Sequence, residues 1–253
     1  MSILRDKVAL VTGSSRGIGA AVAQMLAREG AKVAIHGRDT AALARVGRDI
    51  QNAGGRVMQV VADLTQFEQI EAARRDIERE LGAVELLVAN AGGSFTNPGP
   101  IEETSEEGWR ASVDGNLTAT FLTIKSFLPG MKERRTGSIV TLSSAAARRS
   151  HPRAPIAYAV AKAGVELLTQ NVAAQAGPYG IRVNCIAPET ILTERNLNRI
   201  PFEQQSMLAQ THPIKRLGTP DDIARAARFL MSDDATWITG VILDVSGGAV
   251  MAR

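Results

Sequence analysis

Seven short runs rich in Val, Ile, Leu and Ala recur along the chain, each separated from the next by a longer stretch. The runs cover residues 8–11, 32–35, 56–61, 84–89, 138–142, 182–186 and 241–245. Several are apolar nearly throughout instead of alternating, the pattern of strands covered on both faces. Between them lie amphipathic stretches at 17–28, 40–52, 66–81, 105–134, 156–176 and 220–231, each long enough to cross from one strand to the next. This alternation predicts βαβ units, and hence an α/β chain with a parallel sheet wound on both faces; it disfavours antiparallel sandwiches.

At 253 residues the chain is within the range of one large α/β domain, and no Pro/Ser-rich linker, low-complexity block or repeat divides it. A single domain over 1–253 is therefore expected. Hydrophobic residues at 45% and charged residues at 22% exclude a disordered chain or a coiled coil. The net charge is only +3, with bases interleaved among acids as in 74–80, so no nucleic-acid partner is expected. The single cysteine, Cys185, sits in an apolar stretch and points to a reducing compartment. No apolar run approaches the roughly 18 residues of a membrane span, and the first six residues lack a signal-peptide layout. The expectation is a cytoplasmic protein with no membrane partner. One segment breaks the rhythm. Residues 189–219 form a connection of about thirty residues where about 2–6 are usual, and its Ile191, Leu192, Leu197, Ile200, Phe202, Met207 and Leu208 predict a lid over a ligand.

The turn from Thr12 to Gly19 follows the first strand and opens the first helix. Gly13 permits a tight turn, Gly17 lets backbone approach a pyrophosphate, and Gly19 allows close packing. Free N–H groups at the helix start favour an anion. The spacing is GxxxGxG, and its place at the first βα junction predicts dinucleotide binding. Gly13-Ser14-Ser15-Arg16-Gly17 also fits the nucleophile elbow G-x-S-x-G, which would make Ser15 a hydrolase nucleophile served by His36, His151 or His212. Elbows of that kind follow several strands, whereas this turn follows the very first.

Tyr158 and Lys162 lie four apart and share a helix face. A phenol has a pKa of about 10, so work near neutrality needs a shift of about two units, roughly 3 kcal/mol. One positive charge about 5 Å away at an effective dielectric of about 20 contributes about 3 kcal/mol. A solvated lysine beside a buried tyrosine is the alternative for the pair read alone. Ser143 and Ser144 end the fifth strand at the carboxyl edge where α/β ligands bind. Asn116 lies within a predicted helix, where Asn is a poor former unless its side chain is used.

Over residues 7–251 these motifs resemble the short-chain dehydrogenase/reductase family. Thr12-Gly13-x-x-x-Gly17-x-Gly19 matches its cofactor turn, Asp63 its adenine contact, Asn90-Ala91-Gly92 its strand-four element and Tyr158-x-x-x-Lys162 its signature. The resemblance implies a Rossmann-type doubly wound parallel seven-stranded sheet with helices on both faces. It implies catalytic roles for Asn116, Ser144, Tyr158 and Lys162, with Ser143 the lesser alternative for the serine. It assigns cofactor contacts to Gly13, Ser15, Arg16, Gly17, Ile18, Gly19, Asp63, Leu64, Asn90, Ala91, Gly92, Tyr158, Lys162, Pro188, Ile191 and Thr193. It further implies interconversion of a ketone and a secondary alcohol by hydride transfer, without a metal, in a homotetramer. Glu189 departs from the pattern, standing where a glycine usually follows the proline; its carboxylate is expected near the cofactor or in solvent.

At the end of the second strand Gly37 occupies the place of an acid that would pair with the ribose hydroxyls, and Arg38 follows it. Arg38 with Arg16 predicts a grip on a 2′-phosphate, hence NADP(H), while Asp39 leaves NAD(H) open. The substrate reading is a small carbonyl or alcohol. The chain resembles 3-oxoacyl-[acyl-carrier-protein] reductases at 212–220 and 238–240, which brings an acyl-carrier-protein or CoA thioester into view. Lys132, Arg134 and Arg135 are a candidate basic rim for such a carrier. A dehydrogenase of a sugar, steroid or other alcohol using NAD, and a dinucleotide sensor without turnover, are the competing readings.

Overall fold

The computed structural model describes residues 3–150 and 155–251. Among them, seven strands form one sheet: β1 (Val8–Val11), β2 (Lys32–His36), β3 (Val57–Val60), β4 (Val84–Ala89), β5 (Gly137–Leu142), β6 (Ile181–Pro188) and β7 (Ile242–Val245). The order is β3-β2-β1-β4-β5-β6-β7 and every neighbouring pair is parallel. The helices are α1 (Gly17–Arg28), α2 (Thr40–Asn52), α3 (Phe67–Glu80), α4 (Glu106–Val113), α5 (Ala119–Arg134), α6 (Ala145–Arg148), α7 (Ile156–Ala176), α8 (Glu194–Arg199), α9 (Phe202–Thr211) and α10 (Pro220–Met231).

Period-two alternation explains the two layers. Ala9, Val11, Val33, Ile35, Leu86 and Val88 face Val22 and Leu26 of α1, Leu43 and Ile50 of α2, and Ile223 and Leu230 of α10. Val8, Leu10, Ala34, Leu87, Ile139 and Val183 face Ile70 and Ile77 of α3, Phe127 and Met131 of α5, and Val172 of α7. Each fully buried Leu, Ile or Val contributes about 1.5–3 kcal/mol, so aliphatic side chains on both faces hold the sheet without many aromatics. No helix among the described residues is long and apolar enough to cross a membrane.

The stretch 105–134, expected as one helix, is broken. A π-helical turn, Asp114–Thr118, separates α4 from α5. Gly115 and Asn116 are weak helix formers, and a side chain at Gly115 would strike the Phe95 ring. The widened turn buries Asn116 completely.

Because the chain winds outward in both directions from β1 and β4, a crevice opens at their carboxyl ends. The 189–219 excursion rises at this end. Its two ends are tied by Leu192 N–H to the Gly218 carbonyl at 2.8 Å and Gly218 N–H to the Thr190 carbonyl at 3.1 Å. Ile191 joins the core, whereas Phe202 and Met207 are 76% and 65% exposed, an apolar face the fold leaves uncovered.

Candidate active site

The glycine turn is moulded onto the end of β4. Gly13 has φ +63°, and a Cβ there would lie 2.8 Å from the Ala91 Cα. The Thr12 hydroxyl accepts from the Asn90 and Ala91 N–H groups at 3.0 Å each, and the Asn90 amide donates to the carbonyls of Thr12 and Gly13 at 2.9 and 3.0 Å. Asn90 thus braces the turn. α1 starts with no side-chain cap and no acid in its first turn, so its leading N–H groups stay open to an anion, which fits a pyrophosphate.

His36 acts where spacing did not point. Its Nδ1 accepts from the Gly13 N–H at 3.2 Å, and its Nε2 lies 3.0 Å from the Ala62 carbonyl, so it is the neutral imidazole that donates through Nε2. Burial, its largest influence, lowers its pKa and keeps it neutral. The ring joins the glycine turn to the Asp63 segment. There the Thr65 N–H and hydroxyl bind one Asp63 oxygen at 2.9 and 2.8 Å and hold that carboxyl below the usual range. Leu64 is buried beside it.

Ser15 has neither His36 nor His212 as a partner, since both imidazoles are engaged elsewhere. His151 lies outside the described residues. The elbow reading therefore finds no base among the described residues. Arg16 does not stand free beside Arg38: it is ion-paired with Asp39, which also caps α2 through the Ala42 N–H. Arg38 is exposed and makes no ion pair among the described residues.

Ser144 caps α6, accepting from the Ala146 N–H at 3.2 Å, and its side chain hydrogen-bonds the Tyr158 phenol. Lys162 Nζ lies 5.7 Å from the centroid of the Tyr158 ring and donates to the Leu142 carbonyl at 2.7 Å. The electrostatics differ from the simple picture of a lysine depressing a phenol. Burial pushes Tyr158 up, opposed only in part by Ser144 and the Arg195 guanidinium, and burial pushes Lys162 down to about 8. Desolvation is the largest influence on both groups, and the cationic ring of an oxidised nicotinamide is a charge that would favour the phenolate. Ser143 points away from this group, donating to Glu166 Oε1 at 2.7 Å.

The Asn116 amide is fully used. It donates to the carbonyls of Gly93 and Ser112 at 2.9 and 2.8 Å and accepts from the Gly93 N–H at 3.0 Å. A side chain at Gly92, φ +149°, would collide with Asn116 Oδ1.

One cavity of about 340 Å³ is lined by Gly13, Arg16, Gly17, Ile18, Gly19, Asn90, Gly92, Ser144, Tyr158, Lys162, Pro188, Ile191 and Thr193. Ser15 lines an adjacent cleft with Arg16, Gly17 and Thr193. Arg38, Asp63, Leu64, Ala91 and Asn116 are not on the cavity wall. Glu189 lies on the wall of the same cavity, and its carboxylate turns to His212, Arg149 and the Thr190 N–H, a pull that spacing does not show. The basic cluster is misplaced for a rim. Arg134 donates to the carbonyl of Val84 at the start of β4, and Arg135 to Pro178, so both sit at the end of the sheet opposite Ser144.

Comparison with known proteins gives the family. A family model described as enoyl-(acyl carrier protein) reductase matches residues 13–250. The chain is 38% identical to the 3-oxoacyl-[acyl-carrier-protein] reductase of Vibrio cholerae over 98% of its own length and 99% of the relative's. It is 36% identical to the 7alpha-hydroxysteroid dehydrogenase of Escherichia coli over 98% and 95%. A 3-oxoacyl-[acyl-carrier protein] reductase from Brucella melitensis, solved with bound NAD, superposes with a TM-score of 0.90 at 35% identity, covering 99% of this chain and 94% of that one. The chain belongs to the short-chain dehydrogenase/reductase family, oxidoreductases that act on CH–OH and carbonyl groups with NAD(P).

Proposed function

We propose that the chain is an NADP(H)-dependent oxidoreductase interconverting a ketone and a secondary alcohol, with 1–253 as one catalytic domain and 189–219 as its lid. The observation that carries the reading is the meeting of Ser144, Tyr158 and Lys162 with the glycine turn around one cavity. A bound nicotinamide supplies the hydride in reduction and takes it in oxidation. Ser144 holds the carbonyl oxygen, Tyr158 delivers a proton to it, and in oxidation the same phenolate removes that proton. Lys162 binds the ribose and stabilises the phenolate. Asn116 supports the proton path by holding Gly93 in place. Gly13, Ser15, Arg16, Gly17, Ile18 and Gly19 would hold the phosphates, Asp63 and Leu64 the adenine, Asn90, Ala91 and Gly92 the ribose side, and Pro188, Ile191 and Thr193 the nicotinamide.

The NADP preference rests on Arg38, which is exposed beside Gly37 and makes no ion pair among the described residues. Charge-assisted hydrogen bonds of this kind contribute about 1.5–3 kcal/mol. Arg38→Ala is therefore expected to lower kcat/KM with NADPH by about 10- to 100-fold while leaving NADH nearly unaffected. A preference of the wild type for NADH would overturn the assignment. The Arg16–Asp39 pair favours the second reading, an NAD-using dehydrogenase of a sugar, steroid or other alcohol.

For the substrate we favour a 3-oxoacyl thioester, on the 38% likeness to a reductase of that class. Reduction of acetoacetyl thioesters, followed by nicotinamide absorbance alongside cyclic ketones and sugars, supports it; activity on free ketones alone removes it. The described chain has a free, buried Cys185, consistent with a reducing cytoplasm. Phe121 on α5 and Val160 and Leu167 on α7 are 46%, 47% and 61% exposed, apolar faces that a homotetramer would cover. Light scattering weighs that assembly directly.

A further inference from the structure

Glu189, within the segment 188–193, and His212 form a partly buried hydrogen-bonded pair. Glu189 Oε2 lies 3.0 Å from His212 Nε2, with side-chain exposures of 19% and 4%. His212 Nδ1 lies 2.8 Å from the carbonyl of Leu208 in α9. The Thr211 hydroxyl, 3.4 Å from Nδ1, already donates to that same carbonyl at 2.7 Å. Both ring nitrogens therefore face acceptors. Only the imidazolium, with two N–H donors, satisfies both, and either neutral tautomer leaves a lone pair against a carbonyl or a carboxylate.

The carboxylate is held in its ionised form. Burial alone would raise the Glu189 pKa, but hydrogen bonds from Thr190 and His212 outweigh it and bring the carboxyl below its ordinary value. The other charges around the pair are committed. Arg149, after α6, reaches Glu189 Oε1 at 3.5 Å. Across a cavity of about 380 Å³, Arg216 pairs with Asp222 and Arg225 with Asp221, while Asp244 pairs with Arg148. None of these supplies a second partner for His212.

The pair adds a direct side-chain tie between the segment 188–193 and the end of α9, beside the backbone bonds of Thr190 and Leu192 to Gly218. Glu189 precedes the segment that ends by capping α8 with Thr193, and His212 ends the helix whose Phe202 and Met207 are exposed. We propose that Glu189 and His212 are a latch that holds α9 to the segment 188–193, so that the nicotinamide ring is gripped only while the carboxylate–imidazolium pair is intact. The latch rests on the reading above that 188–193 faces the nicotinamide. It makes Glu189 a positioning residue acting through the backbone.

The test compares calorimetric affinity for the whole cofactor, NADPH or NADH according to which the wild type binds more tightly, with that for the matching ring-free fragment, 2′-phospho-ADP-ribose or ADP-ribose. Glu189→Gln keeps the shape and removes the charge. It should bind the whole cofactor about tenfold more weakly than wild type and the fragment like wild type. His212→Phe, which keeps the ring volume without donors, should behave the same way. Whole-cofactor affinity within about twofold of wild type in both variants overturns the latch alone. A wild type that gains nothing from the ring overturns the nicotinamide placement and the latch with it. Matched loss of fragment and whole cofactor in both variants marks general damage to the fold and also refutes the latch.

Discussion

Tyr158→Phe is expected to reduce kcat by about 10³-fold, within the range that a positioned general acid contributes, while the dissociation constant of the cofactor stays within about twofold. The substitution removes one oxygen from a side chain on α7 and leaves its ring packed. The lost contact is the hydrogen bond with Ser144, which caps α6 through its own interaction with the Ala146 N–H and keeps that role. The glycine turn, the open end of α1 and the Asn90 brace do not involve the phenol. Binding and chemistry are thus separable at this position. Steady-state turnover with a fluorescence titration of the cofactor checks the split. Turnover within tenfold of wild type would remove Tyr158 from the proton transfer, and loss of binding in proportion to turnover would make it structural.

Local requirements were readable from the chain. A tight turn at φ +63° leaves a glycine in the sequence, and a shared helix face leaves an i, i+4 pair, so Gly13 and the Tyr158–Lys162 pair stand out before any fold is known. The strands were equally legible, because covering both faces demands an apolar run. The unread parts depend on contacts between distant segments. His36 reaches Gly13 across 23 positions, Thr12 meets Asn90 across 78, and Arg148 meets Asp244 across 96, none of which leaves a periodic trace. Glu189 shows the limit most clearly: an acid in place of glycine was visible as a departure, but its direction depended on a histidine 23 residues away. The π-helical turn at Asp114–Thr118 was hidden for another reason, since one widened turn barely disturbs a helical period.

Depth of burial is the other quantity that spacing conceals, and it gives Lys162 an unusual expected behaviour. Its pKa falls from 10.5 to about 8 because the ammonium is desolvated. Protonating it in the folded chain then costs about 3 kcal/mol more than in the unfolded chain, at about 1.4 kcal/mol per unit. That penalty is fully present below about pH 8 and fades as pH rises toward 10.5. Methionine has nearly the same length and no charge. Lys162→Met removes the penalty and forfeits the hydrogen bond to the Leu142 carbonyl, which contributes about 1 kcal/mol. The variant should therefore be more stable by about 2 kcal/mol at neutral pH, or about 5 °C in Tm for a chain of this size. The gain should vanish near pH 10.5. Activity should move the other way. A charge 5.7 Å from the phenol ring contributes about 3 kcal/mol to phenolate at an effective dielectric of about 20. Its removal should cut kcat near pH 7, where the ammonium is charged, by about 10²-fold. Thermal melts at two pH values and a pH–rate profile test both halves. A variant less stable at neutral pH with normal turnover would mean that Lys162 serves packing. The opposite pairing, stability gained as turnover is lost, is what a buried cation retained for its chemistry requires.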